Sequence, residues 1–393
     1  MKIAQICTNV MSGSVGSIVR NICDGIKESD NEYLICYGRG KQPDGYNSYK
    51  FDNKIDIYIH VILARLFDSD GLHSKRATKR LINKLNDFKP DVVHIHCLHG
   101  YYINYPLLVE YLNKHNVKVV WTMHDCWSFT GHCCYFDMIK CEKWKYNCNN
   151  CMQKHSYPKS IGFDNSKYNF NLKKKILLSF NTDNLIIVSP SNWLKSLIKE
   201  SFLRQYNCLI INNGIDTSLF NKKDIKKERI ILGVASIWDK RKGLEDFIEL
   251  KKFLLDEYKI KIIGVTKKQK ELLQHNNIQA IERTSSVHEL VEEYNKALVL
   301  FNPTYEDNFP TVNLEAVSCG TPVITYRTGG SPEFLVDDSY GFVVDYKDYK
   351  SIVNIIKKIH ENKEIKKAKI YDKAIMVKKY LKIYESCLND ENI

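Results

Sequence analysis

Short β-branched segments alternate with amphipathic helical segments along most of the chain. The first unit is the clearest: residues 2–10 predict a strand, residues 11–17 a Gly/Ser turn, and Ile18, Ile22 and Ile26 recur at helical spacing. Parallel strands need a long crossover between them, which is usually a helix. The alternation therefore predicts an α/β fold in which helices cover parallel sheets.

A charged segment separates these units into two series. Between them, Asn213-Gly214 is typical of a turn, and the lysine-rich residues 221–229 are too charged to be buried. A length of 393 residues suits two domains. We predict doubly wound domains at 1–215 and 216–372, a ligand-binding cleft between them, and a docked C-terminal helix at 373–393. The predicted strands are 33–37, 92–97, 117–123, 185–189, 209–212, 230–235, 261–264, 298–302, 322–325 and 342–344.

The composition limits where such a chain can reside. No segment approaches the roughly 20 apolar residues that span a bilayer. Gln5, Thr8 and Asn9 interrupt the apolar residues of the N-terminus, unlike the apolar core of a signal peptide. The 13 cysteines are then expected to be thiols in a reducing compartment. We predict a cytoplasmic protein.

The net charge is +12, and basic residues cluster at 75–84, 173–175 and 222–227. No recognition helix or RNA-binding signature accompanies them, so nucleic acid is not predicted as a partner. Arg76, Lys79 and Arg80 share a predicted helix with apolar residues, an arrangement that suits an anionic membrane surface. A solvated helix face is the alternative. The apolar residues are Leu72, Leu81, Ile82 and Leu85.

The most informative segment is 302–333, where a strand is followed by an acidic loop and then a helix that begins near Thr311. The helix N-terminus presents free N–H groups and a positive dipole end. Asp307 lies in the loop and Glu315 about one turn into the helix. Carboxylates at these positions suit hydrogen bonds from sugar hydroxyls. The alternative is that both are ordinary acids that stabilise the helix dipole.

Two further loops follow predicted strands. Lys240, Arg241 and Lys242 come after the first strand of the second domain, where cations can neutralise a departing diphosphate, although a solvated basic loop is the alternative. In the first domain, the loop Gly13-Ser14-Val15-Gly16 allows backbone N–H groups to approach a phosphate. It is neither a dinucleotide-binding nor a P-loop motif.

Histidines end two strands of the first domain. His124 follows the strand at 117–123 and is predicted to project into the cleft, with a structural histidine as the alternative. His94, His96 and His99 end another strand, and we interpret them as residues that line the cleft.

Six of the cysteines lie within residues 126–151. Cys133, Cys141, Cys148 and Cys151 have the spacing C-x7-C-x6-C-x2-C, and the last pair has the two-residue gap of a zinc knuckle. A structural zinc site with four thiolates is the preferred interpretation; packing thiols or a labile disulfide are the alternatives. Four thiolates leave no open coordination position, so this zinc would not be catalytic.

These segments, in this order, resemble glycosyltransferase family 4. The family's donor-site signature is a glutamate, seven residues, and a glutamate followed by Ala-x-x-x-Gly-x-Pro-Val; Asp307 and Glu315 stand in the two acidic places. Lys242-Gly243 matches a second family pattern, with Arg241 in place of the family's arginine. His124-Asp125 and the spaced cysteines resemble a subgroup that acts in bacterial surface-polysaccharide assembly.

The resemblance implies a GT-B fold with two Rossmann-like domains and a C-terminal helix that packs back on the first. It implies a retaining glycosyltransferase that uses a nucleotide-diphosphate sugar as donor and a lipid-linked saccharide as acceptor. The pathway would be the biosynthesis of a bacterial capsule, O-antigen (lipopolysaccharide) or exopolysaccharide. The enzyme would act at the inner face of the plasma membrane. No metal is required for this chemistry. The alternatives are an epimerase or a phosphorylase with the same fold, or a non-catalytic partner subunit.

The resemblance also implies roles for individual residues. His124 contacts the donor sugar near the reacting centre, and Lys242 with Arg241 stabilises the leaving diphosphate. Asp307, or its neighbour Glu306, binds the sugar hydroxyls. The remaining donor-binding residues are Asn308 and Phe309 through their backbone, Glu315 at the ribose, and Gly13, Ser14 and Gly16 in the N-terminal loop.

Overall fold

A computed structural model describes residues 1–335, 340–361 and 371–389. The chain divides into two compact units. The first consists of Met1–Asn212 and the chain from Met376, and the second of Asn213–Ile375. The sequence-based boundaries lie at 215/216 and 372/373, within a few residues of these positions.

The first unit contains a seven-stranded sheet in which all neighbouring strands are parallel. Its strand order is β3-β2-β1-β4-β5-β6-β7. The strands are β1 (Lys2–Asn9), β2 (Glu32–Arg39), β3 (Ser48–Lys50), β4 (Val92–Ile95), β5 (Lys118–Thr122), β6 (Leu185–Ser189) and β7 (Asn207–Ile210). The helices are α1 (Gly13–Glu28), α2 (Lys54–Phe67), α3 (Lys75–Phe88), α4 (Tyr105–Lys114), α5 (Ser166–Leu177) and α6 (Asn192–Glu200).

The second unit contains a six-stranded parallel sheet of order β10-β9-β8-β11-β12-β13. Its strands are β8 (Ile230–Val234), β9 (Lys259–Ile263), β10 (Gln279–Ile281), β11 (Val299–Asn302), β12 (Val323–Tyr326) and β13 (Gly341–Val344). The helices are α7 (Leu244–Lys251), α8 (Lys267–His275), α9 (Val287–Lys296), α10 (Thr311–Ser318) and α11 (Tyr349–Glu361). The predicted α/β class with two doubly wound sheets is therefore confirmed.

Both sheets reverse their strand order at one position, between β1 and β4 in the first unit and between β8 and β11 in the second. At such a switch point the two flanking loops leave the sheet in opposite directions, which opens a crevice at the carboxyl ends of the strands. The predicted site loops of the second unit follow β8 and β11 directly. The fold thus places them beside the same crevice.

The final helix, α12 (Lys373–Asn389), packs on the first unit from Met376 onward, as predicted. Its apolar face joins the core between α1 and the first sheet. The Tyr384 hydroxyl lies 2.7 Å from His94 Nδ1, and the Tyr380 hydroxyl lies 2.9 Å from Thr122 Oγ1. These buried polar contacts fix the helix to the strands β4 and β5.

The prediction that α3 lies on a membrane through its apolar face is wrong. Leu81 and Leu85 are completely buried in the core of the first unit, because that face packs beneath the sheet. The basic residues Lys75, Arg76 and Lys79 are exposed. In residues 1–335, 340–361 and 371–389, every helix is too short or too polar to span a bilayer.

Candidate functional site

In the second unit, the loops after β8 and β11 are joined by backbone contacts. Gly243 has φ +69°, and a Cβ at this position would lie 2.2 Å from the Pro303 carbonyl oxygen. Only glycine permits this approach without strain. The Tyr305 N–H donates to the Arg241 carbonyl at 2.8 Å. The Lys-Gly pattern in the sequence therefore has a structural reason, because the glycine lets the basic turn Lys240–Lys242 pack against the acidic loop.

The side chains of these two loops form a charged cluster at the switch point. Lys242 Nζ forms an ion pair with Asp307 Oδ2, and Arg241 Nη1 lies 3.9 Å from the same oxygen. Asp307 Oδ1 accepts a hydrogen bond from the Asn308 N–H at 2.8 Å. Burial opposes ionisation of Asp307, but Lys242 and Arg241 hold the pKa of its carboxyl below the usual value. The cluster is therefore a carboxylate between two cations.

The structure distinguishes the two neighbouring acids of this loop. Asp307 points toward Lys242, whereas Glu306 is 2% exposed and its carbonyl oxygen accepts a hydrogen bond from Arg241 Nη1 at 2.7 Å. Glu306 thereby orients the arginine through its backbone. Of the two acids, Asp307 is the one that could meet a ligand at this cluster.

A glycine pair supports Asp307 from the other side, and the sequence analysis did not identify it. Gly329 has φ +55°, and a Cβ there would lie 2.3 Å from the Asp307 carbonyl oxygen. The Gly330 N–H donates to that oxygen at 2.9 Å. The Gly-Gly pair in the sequence was the available signal, but nothing local indicates that it packs against Asp307.

Glu315 lies in the second turn of α10 and has a fixed partner. The Tyr294 hydroxyl donates to Glu315 Oε2 at 2.8 Å, and burial raises the pKa of Glu315 above the usual value. The first turn of α10 contains no acid, so neither Glu315 nor Asp307 occupies the position expected of a dipole-stabilising acid. Asn308 and Phe309 are both buried beneath this helix end.

In the first unit, the Gly-rich segment belongs to α1 rather than to a loop that extends to residue 17. The helix begins at Gly13, whose φ is +74°, and Ser14 is exposed. A Cβ on Gly16 would lie 2.5 Å from the Val10 carbonyl oxygen. Gly16 therefore allows α1 to approach the end of β1 closely, which is a packing role independent of any ligand.

His124 lies two residues beyond β5 and is partly buried. Its Nε2 lies 3.2 Å from His96 Nδ1, and His96 Nε2 contacts Gln5 Oε1 at 2.8 Å. Burial lowers the pKa of His124 to about 4, even though Asp125 favours the charged form. The imidazole of His124 is therefore neutral at neutral pH and can exchange hydrogen bonds without carrying a charge.

The interpretation of His94, His96 and His99 as residues that line the cleft is wrong for His94 and His96. His94 and His96 are 0% and 1% exposed. His94 Nδ1 lies 2.7 Å from the Tyr384 hydroxyl of α12, and His96 Nε2 contacts the buried Gln5 of β1. His99 remains partly exposed and forms an ion pair with Asp125 at 2.9 Å. Although burial opposes it, Asp125 raises the pKa of His99 well above the usual value, so this pair is charged.

The four spaced cysteines come together in the first unit. The side chains of Cys133, Cys141, Cys148 and Cys151 line one small pocket next to α5. Throughout the described residues, the one group of three metal-binding side chains whose ligand atoms all lie within 4.8 Å is a different one, His99, Asp125 and Cys134. The four thiols surround their pocket at wider spacing.

Two doubly wound parallel sheets, with charged loops at a switch point, define the α/β architecture of GT-B glycosyltransferases, and solved structures share it. Sucrose-phosphate synthase from Thermosynechococcus elongatus aligns over 100% of both chains with a TM-score of 0.69 and 13% identity. The glycosyltransferase WaaG aligns over 99% of this chain and 98% of its own, with a TM-score of 0.60 and 13% identity.

Family models cover nearly the whole chain. "Glycosyltransferase Family 4" matches residues 15–219, and "Glycosyl transferases group 1" matches residues 216–375. The chain belongs to glycosyltransferase family 4 and is a glycosyltransferase. The predicted family, fold and enzyme class are thus confirmed, and the relatives do not favour the epimerase alternative.

Two of the relatives are named for polysaccharide biosynthesis. The putative colanic acid biosynthesis glycosyl transferase WcaC of Escherichia coli is 25% identical over 345 residues, which are 83% of this chain and 82% of the relative. The capsular polysaccharide biosynthesis glycosyltransferase CapM of Staphylococcus aureus is 26% identical over 220 residues, 50% of this chain and 56% of the relative.

The name of a third relative states its acceptor. The N,N'-diacetylbacillosaminyl-diphospho-undecaprenol alpha-1,3-N-acetylgalactosaminyltransferase of Campylobacter jejuni is 24% identical over 259 residues. These are 58% of this chain and 67% of that enzyme.

Proposed function

We propose that this enzyme transfers a sugar, with retention of anomeric configuration, from a nucleotide-diphosphate sugar to a lipid-linked saccharide in the assembly of a bacterial surface polysaccharide. The charged cluster of Lys242, Arg241 and Asp307 at the switch point carries the proposal. A structural neighbour, Anabaena HepE, has been solved in complex with UDP-glucose, which supports the donor class. The Campylobacter relative supports the acceptor class.

The cluster suits this chemistry because its charges can be redistributed. The Lys242 ammonium is paired with the Asp307 carboxylate. A bound diphosphate offers Lys242 and Arg241 a stronger anionic partner and leaves the Asp307 carboxylate free to accept hydrogen bonds from sugar hydroxyls. A positioned cation stabilises the diphosphate most strongly as the diphosphate leaves, because the negative charge of the diphosphate increases in the transition state.

The proposed reaction forms and breaks one bond at the anomeric carbon. The bond to the diphosphate oxygen breaks, and the acceptor oxygen bonds to the carbon on the same face of the sugar. The acceptor hydroxyl proton passes to the departing diphosphate oxygen, so no side chain acts as the general base. The acceptor oxygen attacks the anomeric carbon directly, so no side chain acts as the nucleophile. In the proposal, Glu315 binds the ribose, and the neutral His124 contacts the donor sugar.

A thermal-shift screen tests the donor class. We expect one member of a set of UDP-, GDP-, ADP- and dTDP-sugars to stabilise the protein by about 2.7 kcal/mol at roughly 100 times its Kd. That nucleotide sugar should then release its nucleotide only when a lipid-linked saccharide is added. Conversion of the donor without any acceptor, or no shift with any nucleotide sugar, would contradict the proposal.

We further propose peripheral contact with an anionic membrane, through α2 rather than α3. Ile55, Tyr58, Ile59, Ile62 and Leu66 follow one face of α2, and each is at least 41% exposed. We call this face the apolar stripe of α2. An exposed stripe of this kind on a helix suits shallow insertion at a lipid interface.

Charge beside the apolar stripe favours an anionic lipid surface as its partner. Arg80 of α3 donates to Asp56 of α2 at 2.9 Å, so the two helices are tied together. Lys75, Arg76 and Lys79 are exposed on the adjoining α3. Each basic residue close to an anionic surface contributes about 1 kcal/mol.

Vesicle sedimentation tests this contact. The double variant Ile59→Ser/Ile62→Ser is expected to bind phosphatidylglycerol vesicles at least about tenfold more weakly, since each isoleucine loses about 1 kcal/mol or more of burial in lipid. High salt should also weaken wild-type binding. Leu255→Ser, which removes a 52% exposed leucine of the second unit, is the matched control. Equal binding by both variants would exclude α2 as the contact.

A further inference from the structure

The cysteine-rich segment of the first unit surrounds a pocket that contains more polar groups than its structure satisfies. Besides the four thiols, the pocket is lined by His132, Trp144 and Ser166. All described cysteines are free thiols, so no disulfide holds this segment together. The segment contains only two short 3-10 turns, Trp127–Phe129 and Lys143–Lys145. Its shape therefore depends on side-chain contacts around the pocket.

Unpartnered polar atoms are concentrated at this pocket. Among the described residues, four buried side-chain nitrogen or oxygen atoms have no hydrogen-bond partner, and three of them line it. These three are His132 Nε2, Trp144 Nε1 and Ser166 Oγ, and their residues are 2%, 1% and 1% exposed. An unsatisfied buried polar group costs about 1–3 kcal/mol. Three unpartnered polar atoms in one pocket indicate a hydrogen-bond acceptor that neutral thiols alone do not provide.

The groups around the pocket favour a negatively charged occupant. His132 Nδ1 contacts the Asp68 carboxylate, so the unpartnered Nε2 is the ring atom that remains for the pocket. Lys173 is 2% exposed and donates to the carbonyl oxygens of Trp127 at 2.7 Å and Thr130 at 3.0 Å. Lys173 does not line the pocket, but its charge favours the ionised form of the nearby Cys148 thiol. Four thiolates on a divalent metal ion carry a net negative charge, which suits a buried cation nearby.

The backbone brings the thiols to this pocket. A Cβ on Gly131 would lie 2.7 Å from Cys148 Cβ and 2.2 Å from the Ser166 carbonyl oxygen, so glycine allows the segment that contains Cys148 to pack here. Thr130 Oγ1 donates to the Cys133 carbonyl at 2.6 Å and fixes the first thiol-bearing segment. Four thiols separated by up to 18 residues thereby face one space.

We propose that Cys133, Cys141, Cys148 and Cys151 bind one structural zinc ion as thiolates, and that His132 Nε2 donates a hydrogen bond to these thiolates. Zinc–sulfur bonds of about 2.3 Å hold four thiolates closer together than the pocket does now, so binding contracts the segment around the ion. Four thiolates complete the tetrahedral coordination. The ion stabilises the first unit and takes no part in the transfer reaction.

Metal analysis with single-cysteine variants tests the assignment. For protein expressed and purified without added metal, we expect about one zinc per chain in the wild type and less than about 0.2 in Cys148→Ser and Cys151→Ser. Cys134→Ser is the matched control, since Cys134 neighbours Cys133 in the chain but does not line the pocket. It should retain zinc. Zinc near zero in the wild type would overturn the proposal.

The control also excludes the other group of potential ligands. If zinc were bound by His99, Asp125 and Cys134, then Cys134→Ser would lose the ion and Cys148→Ser would keep it. That pattern would likewise overturn the proposal. Cobalt substitution gives an independent reading, because thiolate-to-cobalt charge-transfer absorption reports sulfur ligands directly. We expect this absorption in the wild type and Cys134→Ser, and a loss of it in Cys151→Ser.

Chelation of the wild-type protein provides a second test, which does not require a cysteine variant to fold. We expect removal of zinc to lower the Tm by about 5 °C or more and re-addition of zinc to restore it, because an ion that binds only the folded state adds to stability. His132→Gln should still bind one zinc but lose it faster to the chelator. An unchanged Tm after complete zinc removal would overturn the structural role.

Discussion

Replacing Lys242 by alanine is expected to lower kcat/KM for glycosyl transfer by about 10²–10³-fold, the usual effect of removing one preorganised group that stabilises charge in a transition state. The ion pair with Asp307 places this ammonium at the switch point, and Gly243 fixes the turn that carries it. Because the diphosphate gains charge as it leaves, most of the loss should appear in kcat. Initial rates with the donor identified by thermal shift measure it.

The neighbouring Lys240 provides the matched control for this prediction. It lies in the same 3-10 turn, carries the same charge and is exposed. Lys240→Ala is expected to retain activity within about twofold, since exposed charges contribute little when solvent and salt screen them. If Lys240→Ala and Lys242→Ala lose activity to the same extent, general electrostatic attraction explains the effect and the assignment of Lys242 is wrong.

Replacing Glu315 by alanine is expected to raise the KM for the nucleotide sugar by about 30–100-fold. One hydrogen bond to a charged group contributes about 1.5–3 kcal/mol, and a loss of about 2–2.7 kcal/mol corresponds to a factor of about 30–100. Far-UV circular dichroism and the Tm of the variant should show that α10 remains folded. Steady-state kinetics with varied donor concentration give the KM.

Tyr294 separates the binding role of Glu315 from a structural one. Tyr294→Phe removes the 2.8 Å hydrogen bond to Glu315 and keeps the carboxylate itself. We expect its donor KM to stay within about threefold of the wild type. A Tyr294→Phe variant as impaired as Glu315→Ala would mean that Glu315 matters chiefly as the partner of a buried tyrosine.

The periodic pattern of the sequence was sufficient to predict the fold class. Each of the ten later predicted strands overlaps a strand of the structure, because buried parallel strands are continuous apolar runs that the local sequence displays. The two strands that it missed, β3 and β10, have three residues each and lie at sheet edges. Such short segments form because a neighbouring strand offers hydrogen bonds, and their own residues give little indication of it.

The sequence also located the loops of the candidate site, but it did not show which side chains meet. The sequence does not distinguish the neighbouring acids Asp307 and Glu306. Only the structure shows that Asp307 faces Lys242 while Glu306 is buried. His94 and His96 follow the alternation of a strand, which does not show that both are buried. The partner of His94 is Tyr384 of α12, which is 290 residues away along the chain. The partner of Glu315, Tyr294, comes from another helix.

The sequence by itself determined the α/β class, the family resemblance and the short motifs, because strands, helices and turns depend on contacts between near neighbours in the chain. Tertiary structure alone decided which amphipathic helix exposes its apolar face and which buries it, since both α2 and α3 carry an apolar stripe in sequence. It also decided that Lys242 meets Asp307, 65 residues away, because only the strand order of the sheet brings β8 and β11 side by side.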